Sequence, residues 1–402
     1  MTGRPAVAGD PAIIAAEHVV TPDGVLAPGW MRIADGRIEE VLPGEPPSPA
    51  ARRAHWALPG FIDMHVHGGG GASFTEGGPD DARRAAAFHR AHGTTRTLAS
   101  LVTAPVDRLE RRVAMLADLA DEGVIDGIHL EGPFLSAVRC GAQDPRYLTA
   151  PDVTTFARLH AASRGWLRMI TIAPELPGAL EVIRAAAAAG VIAAAGHTDA
   201  SDEVTAAAVD AGISHATHLF NGMRPIDHRA PGPAGALLDR QVTCEVIADG
   251  THLHDAIVRL AARAAGPGNL VLITDAMAAA GRPDGSYRLG ELDVTVSGGV
   301  ARLAGGDARG RAAPAGASPI GAGSIAGSTA SMELVVRRAI TAVGLSVTDV
   351  ADAASTTPAR RQGLEHVTGS LRAGLAADIV LLDSDFRLRA VIARGEYQQP
   401  TT

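Results

Sequence analysis

The sequence predicts an α/β protein: a parallel barrel of eight strands alternating with helices, flanked at both ends by β-rich segments that pair into one small sheet domain. Three observations predict it. From residue 58 onward, short apolar runs alternate with amphipathic, Ala/Arg-rich stretches, the pattern of successive βα units. The two flanks lack that alternation and carry short strands around turns such as "ADGRIEE" (34–40). Metal-type side chains recur at or just past the ends of the apolar runs, where a parallel barrel carries its chemistry.

The eight strands are read in order as 58–66, 94–100, 125–130, 167–173, 191–195, 214–217, 242–247 and 270–274. Helices are expected near 79–92, 105–122, 151–163, 177–189, 201–211 and 254–265, with 218–241 irregular. "SYRLGELDVTVSGGVARL" (286–303) reads as a hairpin inserted after the eighth strand, and a further helix is expected at 328–343. The low-complexity stretch 304–323 reads as a mobile loop. Residues 1–57 and 365–402 would form the small domain and 58–364 the barrel, with the termini tied together.

Composition narrows the class. A chain of 402 residues, 46% of them hydrophobic, can bury a large core. Its net charge of −8 and lack of any basic block argue against nucleic acid as a partner. No apolar run reaches the roughly 18–20 residues of a membrane span. The opening stretch lacks a signal-peptide pattern, and two cysteines, Cys140 and Cys244, give no disulfide framework. A cytoplasmic protein is therefore expected. Every basic residue is Arg, so lysine chemistry is excluded.

"LPGFIDMHVHGGGG" (58–71) carries His65 and His67 one residue apart. Alternate side chains of a strand share a face, so both imidazoles point into the barrel mouth. A lone histidine there would be a satisfied core residue; a pair at a strand end favours metal ligation. Glu131 follows the third strand, His197 the fifth, His218 the sixth and Asp275 the eighth. Each alone is weak, since a buried Asp can simply cap a helix. Together they predict a two-metal site. One ion would take His65, His67 and Asp275, the other His197 and His218. Several metallohydrolases of this architecture bridge two ions with a carboxylated lysine. With no lysine in the chain, Glu131 is the candidate bridge.

The motifs "PGFIDMHVHG", "GIHLEGPFLS", "AGHTDA", "THLFNGM", "ADGTHL" and "LITDAM", in that order, resemble the N-acetylglucosamine-6-phosphate deacetylases, a branch of the amidohydrolase superfamily. The resemblance runs from about residue 13 to 396 and includes "GSLRAGLAADIVLLD". It implies a distorted (β/α)8, TIM-like barrel with a small β-sandwich built from both termini. It implies metal-dependent hydrolysis of an acetamide, with Asp275 as general base and then acid and a divalent metal, Zn, Fe, Mn or Co, polarising the carbonyl. Asn221, Gly222, Arg229 and His252 would bind the sugar phosphate. In the family the phosphate-binding Arg and this His come from a neighbouring subunit, which implies a homodimer. His215, His228 and His254 match no family role.

This chain departs from one form of the family. Some members replace the HxH pair with Gln and Asn, bind one metal, and use a "GTH" histidine to polarise the carbonyl. Here HxH is kept and Gln143 stands at the "GTH" position. That combination predicts two metals per subunit, with Gln143 donating a hydrogen bond from its amide. The glycines 68–71 are expected to let the loop leave the barrel without crowding the substrate. The expected reaction is conversion of N-acetyl-D-glucosamine 6-phosphate to D-glucosamine 6-phosphate and acetate. The galacto epimer or an N-acyl amino acid is the alternative, because the sequence does not separate epimers. A catalytically dead, metal-stabilised scaffold ranks below both, since Asp275 and all six ligands are present.

Overall fold

The computed structural model describes residues 12–304 and 323–398. Its centre is an eight-stranded parallel sheet in sequential order. The strands are β1 (Phe61–Val66), β2 (Thr94–Val102), β3 (Gly127–Glu131), β4 (Leu167–Ile172), β5 (Ile192–Ala195), β6 (Ile213–Ala216), β7 (Thr243–Val246) and β8 (Leu270–Leu272). All are almost wholly buried, as expected when helices cover one face of a parallel sheet and side chains fill the other. The sheet closes at its upper rim. A bridge joins Val66 to Ala276, His67 N donates to Ala276 O at 2.8 Å, and Asp275 N donates to His65 O at 2.9 Å.

The floor of the barrel is apolar, built by Met64, Leu98, Met169, Ala194, Ile247, Val271 and Ile273. Above it lies a polar layer. Ser100 Oγ contacts His129 Nδ1 at 3.0 Å, His129 Nε2 contacts Thr171 Oγ1 at 2.9 Å, and Thr171 Oγ1 contacts Thr217 Oγ1 at 2.8 Å. The outer helices begin where the sequence supplies caps: Asp152 for Val153–Ala162, Ser201 for Asp202–Ala211, Ser331 for Met332–Thr341. His254 caps Asp255–Ala265 with its ring, a local role for a histidine the sequence left unassigned.

The second sheet is formed by both ends of the chain. Its order is 396–398, 388–393, 379–382, 52–59, 12–21, 29–34 and 37–43, with 24–26 also paired to 12–21. A buried ion cluster locks it to the barrel floor. Arg96 of β2 donates to Asp378 at 2.9 Å and to Asp126 at 3.0 Å, while Asp378 also accepts from Thr368 Oγ1 and Arg394 N. No described helix is long and apolar enough to cross a membrane.

Three expectations need correction. The run 58–66 is not one strand: Arg52–Pro59 belongs to the terminal sheet and β1 starts at Phe61. Gly60 makes the break, for a Cβ there would lie 2.3 Å from Thr95 Oγ1. The stretch 218–241, read as irregular, contains the helix Gly232–Asp239; its Pro and Gly residues read as loop, yet proline is well tolerated in a first helical turn. The hairpin at 286–303 is a three-stranded meander, Gly285–Leu289, Leu292–Ser297 and Val300–Leu303, because "SGG" supplies a second turn. Most of the expected mobile loop 304–323 lies outside the described residues.

The Arg96 cluster yields a stability test. Removing one partner of a buried ion pair leaves an uncompensated charge, costing about 3–5 kcal/mol. Asp378→Ala should therefore lower the thermal midpoint strongly, measured by calorimetry, while activity well below the transition is retained because the cluster is at the opposite end of the barrel from the ligands.

Candidate active site

All six predicted ligands meet at one end of the barrel. His65 is on β1 and His67 directly follows it, while Glu131 is the last residue of β3. His197, His218 and Asp275 lie two or three residues past β5, β6 and β8, and each has a positive φ, of 46°, 27° and 50°. Non-glycine residues rarely adopt this left-handed backbone, and such strain clusters at functional sites. Here it turns three chain segments sharply enough to aim their side chains at the barrel axis.

Glu131 is the hub. Its Oε1 lies 2.9 Å from both His197 Nε2 and His218 Nε2, and its Oε2 lies 3.2 Å from His67 Nε2. Asp275 Oδ1 stands 3.2 Å from His67 Nε2 and 3.5 Å from His65 Nε2. The donors fall into two overlapping groups, His65 with His67 and Asp275, and His65 with Glu131 and His218.

The ring nitrogens test whether this set fits a metal. His65 Nδ1 faces Glu245 Oε2 at 3.1 Å, His67 Nδ1 faces Ser100 O at 3.2 Å, and His197 Nδ1 faces Arg139 O at 2.9 Å. Each Nδ1 must carry the proton, since its partner only accepts. Each Nε2 is then a lone pair. Yet His65 Nε2 and His67 Nε2 lie 3.1 Å apart, and His197 Nε2 sits against a carboxylate oxygen. Facing lone pairs repel unless a cation lies between them. Burial drives the His67 proton off, but Asp275 and Glu131 outweigh it and raise the pKa to about 9. His65 and His197 are raised in the same way, burial opposing and Glu131 prevailing. Burial pushes Glu131 and Asp275 up, and the imidazoles hold both below the usual carboxylate range. This surplus of negative charge suits divalent cations, which displace the protons on binding.

Sequence reasoning missed the groups that orient these ligands. Glu245 of β7 accepts from His65, from His218 N at 3.0 Å and from His215 Nε2 at 3.3 Å. His215, left unassigned, thus supports the site from below. Ser100 serves it with its carbonyl and Arg139 with its own. Asp63 accepts from Thr274 Oγ1 at 2.5 Å, tying β1 to the segment that carries Asp275. A lone acid inside an apolar strand, as in "VTCEVI", was the available signal for Glu245.

A cavity of about 860 Å³ opens over the ligands. Gln143, Asn221, Gly222 and His252 line it, with Arg224 and Arg302 toward its rim. Gln143 Oε1 accepts from Thr103 N at 2.7 Å and its Nε2 donates to Glu131 Oε2 at 2.5 Å, so the amide steadies the hub carboxylate from the cavity wall. Gly222 is required where it stands, since a Cβ would lie 2.9 Å from His197 Nδ1. His252, held by Asp249 at 2.8 Å, lines the cavity of its own chain. The resemblance implied a histidine supplied to a neighbour; in the single chain His252 borders its own cavity. Arg229 is exposed and absent from the cavity wall, and among the described residues its guanidinium makes no hydrogen bond or ion pair. Glycines 68–71 do not border the cavity. A Cβ on Gly68 would meet Ala72 O at 2.3 Å and one on Gly69 would meet Phe88 at 2.5 Å, so they are needed for close packing.

Comparison with known proteins matches this geometry. A profile of the amidohydrolase family covers residues 56–397. N-acetylgalactosamine-6-phosphate deacetylase of Escherichia coli O157:H7 is 35% identical over 96% of this chain and 98% of that protein. N-acetylglucosamine-6-phosphate deacetylase of Bacillus subtilis is 35% identical over 94% of each. A mutant N-acetyl-D-glucosamine-6-phosphate deacetylase of Mycobacterium smegmatis, solved in complex with N-acetyl-D-glucosamine-6-phosphate, is 46% identical and superimposes with a TM-score of 0.90 over 97% of this chain and 99% of its own. With the barrel, the terminal sheet and the convergent His/carboxylate centre, these likenesses establish that the chain belongs to the amidohydrolase family.

Proposed function

We propose that this protein deacetylates N-acetyl-D-glucosamine 6-phosphate, releasing D-glucosamine 6-phosphate and acetate. The observation that carries the reading is Asp275. It combines contact with two imidazoles at the hub and a face on the cavity. A carboxylate there reaches both a water entering the site and an amide lying across it.

His65, His67 and Asp275 would hold one divalent cation and His197 and His218 another, with Glu131 between them. Such cations polarise a carbonyl and make water acidic near neutral pH. The chain's own residues do the rest. Asp275 takes the proton of the attacking water and returns it to the departing amine, the general base becoming the general acid. Gln143 holds Glu131 in register. Asn221, the Gly222 backbone and His252 orient the sugar. Arg229 is exposed and does not line its own cavity, which suits a homodimer in which it binds the phosphate of the neighbouring site by charge-assisted hydrogen bonds. A charged phosphosugar, which does not cross a membrane unaided, supports a cytoplasmic reaction. The galacto epimer is the second reading, favoured by the similarity to the Escherichia coli enzyme over nearly the full length of both chains.

Asp275→Asn should lower kcat/KM for the phosphosugar by about 10²–10⁴-fold with the circular dichroism spectrum unchanged; activity within tenfold of wild type would remove Asp275 from the mechanism. Exhaustive chelation should abolish turnover, and Zn, Fe, Mn or Co added back singly should restore it. Elemental analysis of protein purified without chelator should find two equivalents per subunit, and one would refute the two-metal assignment. Arg229→Ala should raise KM for the phosphosugar about 10–100-fold, as loss of a charged hydrogen bond worth ~1.5–3 kcal/mol implies, and leave the poor turnover of the unphosphorylated sugar unchanged. Equal kcat/KM for the two sugars in wild type would reject a phosphosugar substrate.

A further inference from the structure

β7 contributes no ligand to the metal centre, yet it carries one of the most thoroughly buried carboxylates in the barrel. Glu245 is 0% exposed. Its Oε2 receives two donors, His65 Nδ1 at 3.1 Å and the backbone N of His218 at 3.0 Å. Its Oε1 faces His215 Nε2 at 3.3 Å. Its main-chain carbonyl accepts Leu219 N at 2.8 Å. One residue therefore grips a ligand from each half of the centre, the ring of His65 and the turn that carries His218.

We propose that Glu245 is a positioning residue of the metal centre, fixing the His65 tautomer and the His218 turn with a single carboxylate. This rests on the reading that the site binds divalent cations. With Glu245 opposite Nδ1, the His65 proton is held there and the Nε2 lone pair is aimed at the other ligands. A carboxylate behind a metal-binding imidazole also strengthens it as a donor. His218 has φ of 27°, a conformation a non-glycine residue does not hold unaided. The side chain and main chain of Glu245 pin both ends of that turn. His215 anchors the free oxygen, so the carboxylate has one orientation.

The test measures zinc dissociation constants of the folded protein by competition with a chromophoric chelator. Glu245→Gln keeps the size and one acceptor but removes the charge; Glu245→Leu removes every acceptor. Zinc binding should weaken about tenfold in the first and about a hundredfold in the second, the range found when such supporting partners are lost. Activity should recover in both at saturating zinc. Wild-type dissociation constants in the two variants would overturn the proposal, and a lowered thermal midpoint of the metal-free protein with unchanged zinc affinity would assign Glu245 a purely structural part. If Glu245→Leu does not fold, Glu245→Gln decides alone. Wild-type protein that binds no zinc, iron, manganese or cobalt would instead sink the metal reading itself.

Discussion

The Glu131 carboxylate sets the terms for the rest of the barrel mouth. It is buried, and three imidazoles approach it within 3.2 Å. Burying one charge in a low-dielectric interior is costly unless partners compensate it. Here the compensation is assembled from the ends of β1, β5 and β6, so these strands cannot move independently. Gln143 adds a fourth polar contact and is itself fixed by the Thr103 backbone. The arrangement is self-consistent only with positive charge at its centre, supplied by protons or by divalent cations.

Barrel closure and ligand placement are one structural event. β8 ends at Leu272, and the seam to β1 is made by residues 274–276 through His65 O, the His67 backbone and Asp63. Asp275 is further held through its own carbonyl and that of the residue before it: Ser328 N donates to Asp275 O at 2.7 Å, and Ser328 Oγ donates to Thr274 O at 2.5 Å. The Asp275 carboxylate is placed by the same bonds that shut the barrel. This explains how a left-handed backbone persists at Asp275, since strain of this kind survives only where surrounding structure over-determines it.

Much of this was legible in the sequence. Apolar period and turn punctuation placed all eight strands to within a few residues, because parallel strands buried on both faces write themselves as continuous apolar runs. The HxH spacing and the strand-end acids picked out the side chains that converge at the barrel mouth, since position along a βα unit fixes height in the barrel. What stayed hidden was lateral. No one-dimensional pattern says that Glu245 of β7 reaches across to His65 of β1, or that Ser100 turns its carbonyl to His67. The break at Gly60 was hidden for a similar reason: "LPGFIDMHV" is apolar throughout, and only the contact with Thr95 shows that it serves two sheets. The helix Gly232–Asp239 was masked by Pro and Gly residues that signal loops more often than first turns.

The absence of lysine and the identity of residue 143 belong to one argument. A lone histidine at position 143 would offer a polarising donor directly to substrate. Gln143 instead donates to Glu131, inside the predicted ligand set, which takes up one of its two amide hydrogens. Under the proposed reaction, the other groups that could polarise the carbonyl are bound cations and His252, whose Nδ1 is committed to Asp249. Asp249 and the ring nitrogen facing it define the tautomer, leaving Nε2 as the atom His252 presents to the cavity. Beside Arg224 and Arg302 the cavity wall also carries exposed apolar side chains, Ile226 at 48% and Leu260 at 54%, with Ile226 in the segment bearing Arg229. Under the dimer proposed above, one neighbouring surface would cover these side chains and bring an arginine to the phosphate in the same contact. The deep half of the site would then be complete within one chain, and the phosphate half complete only in the pair.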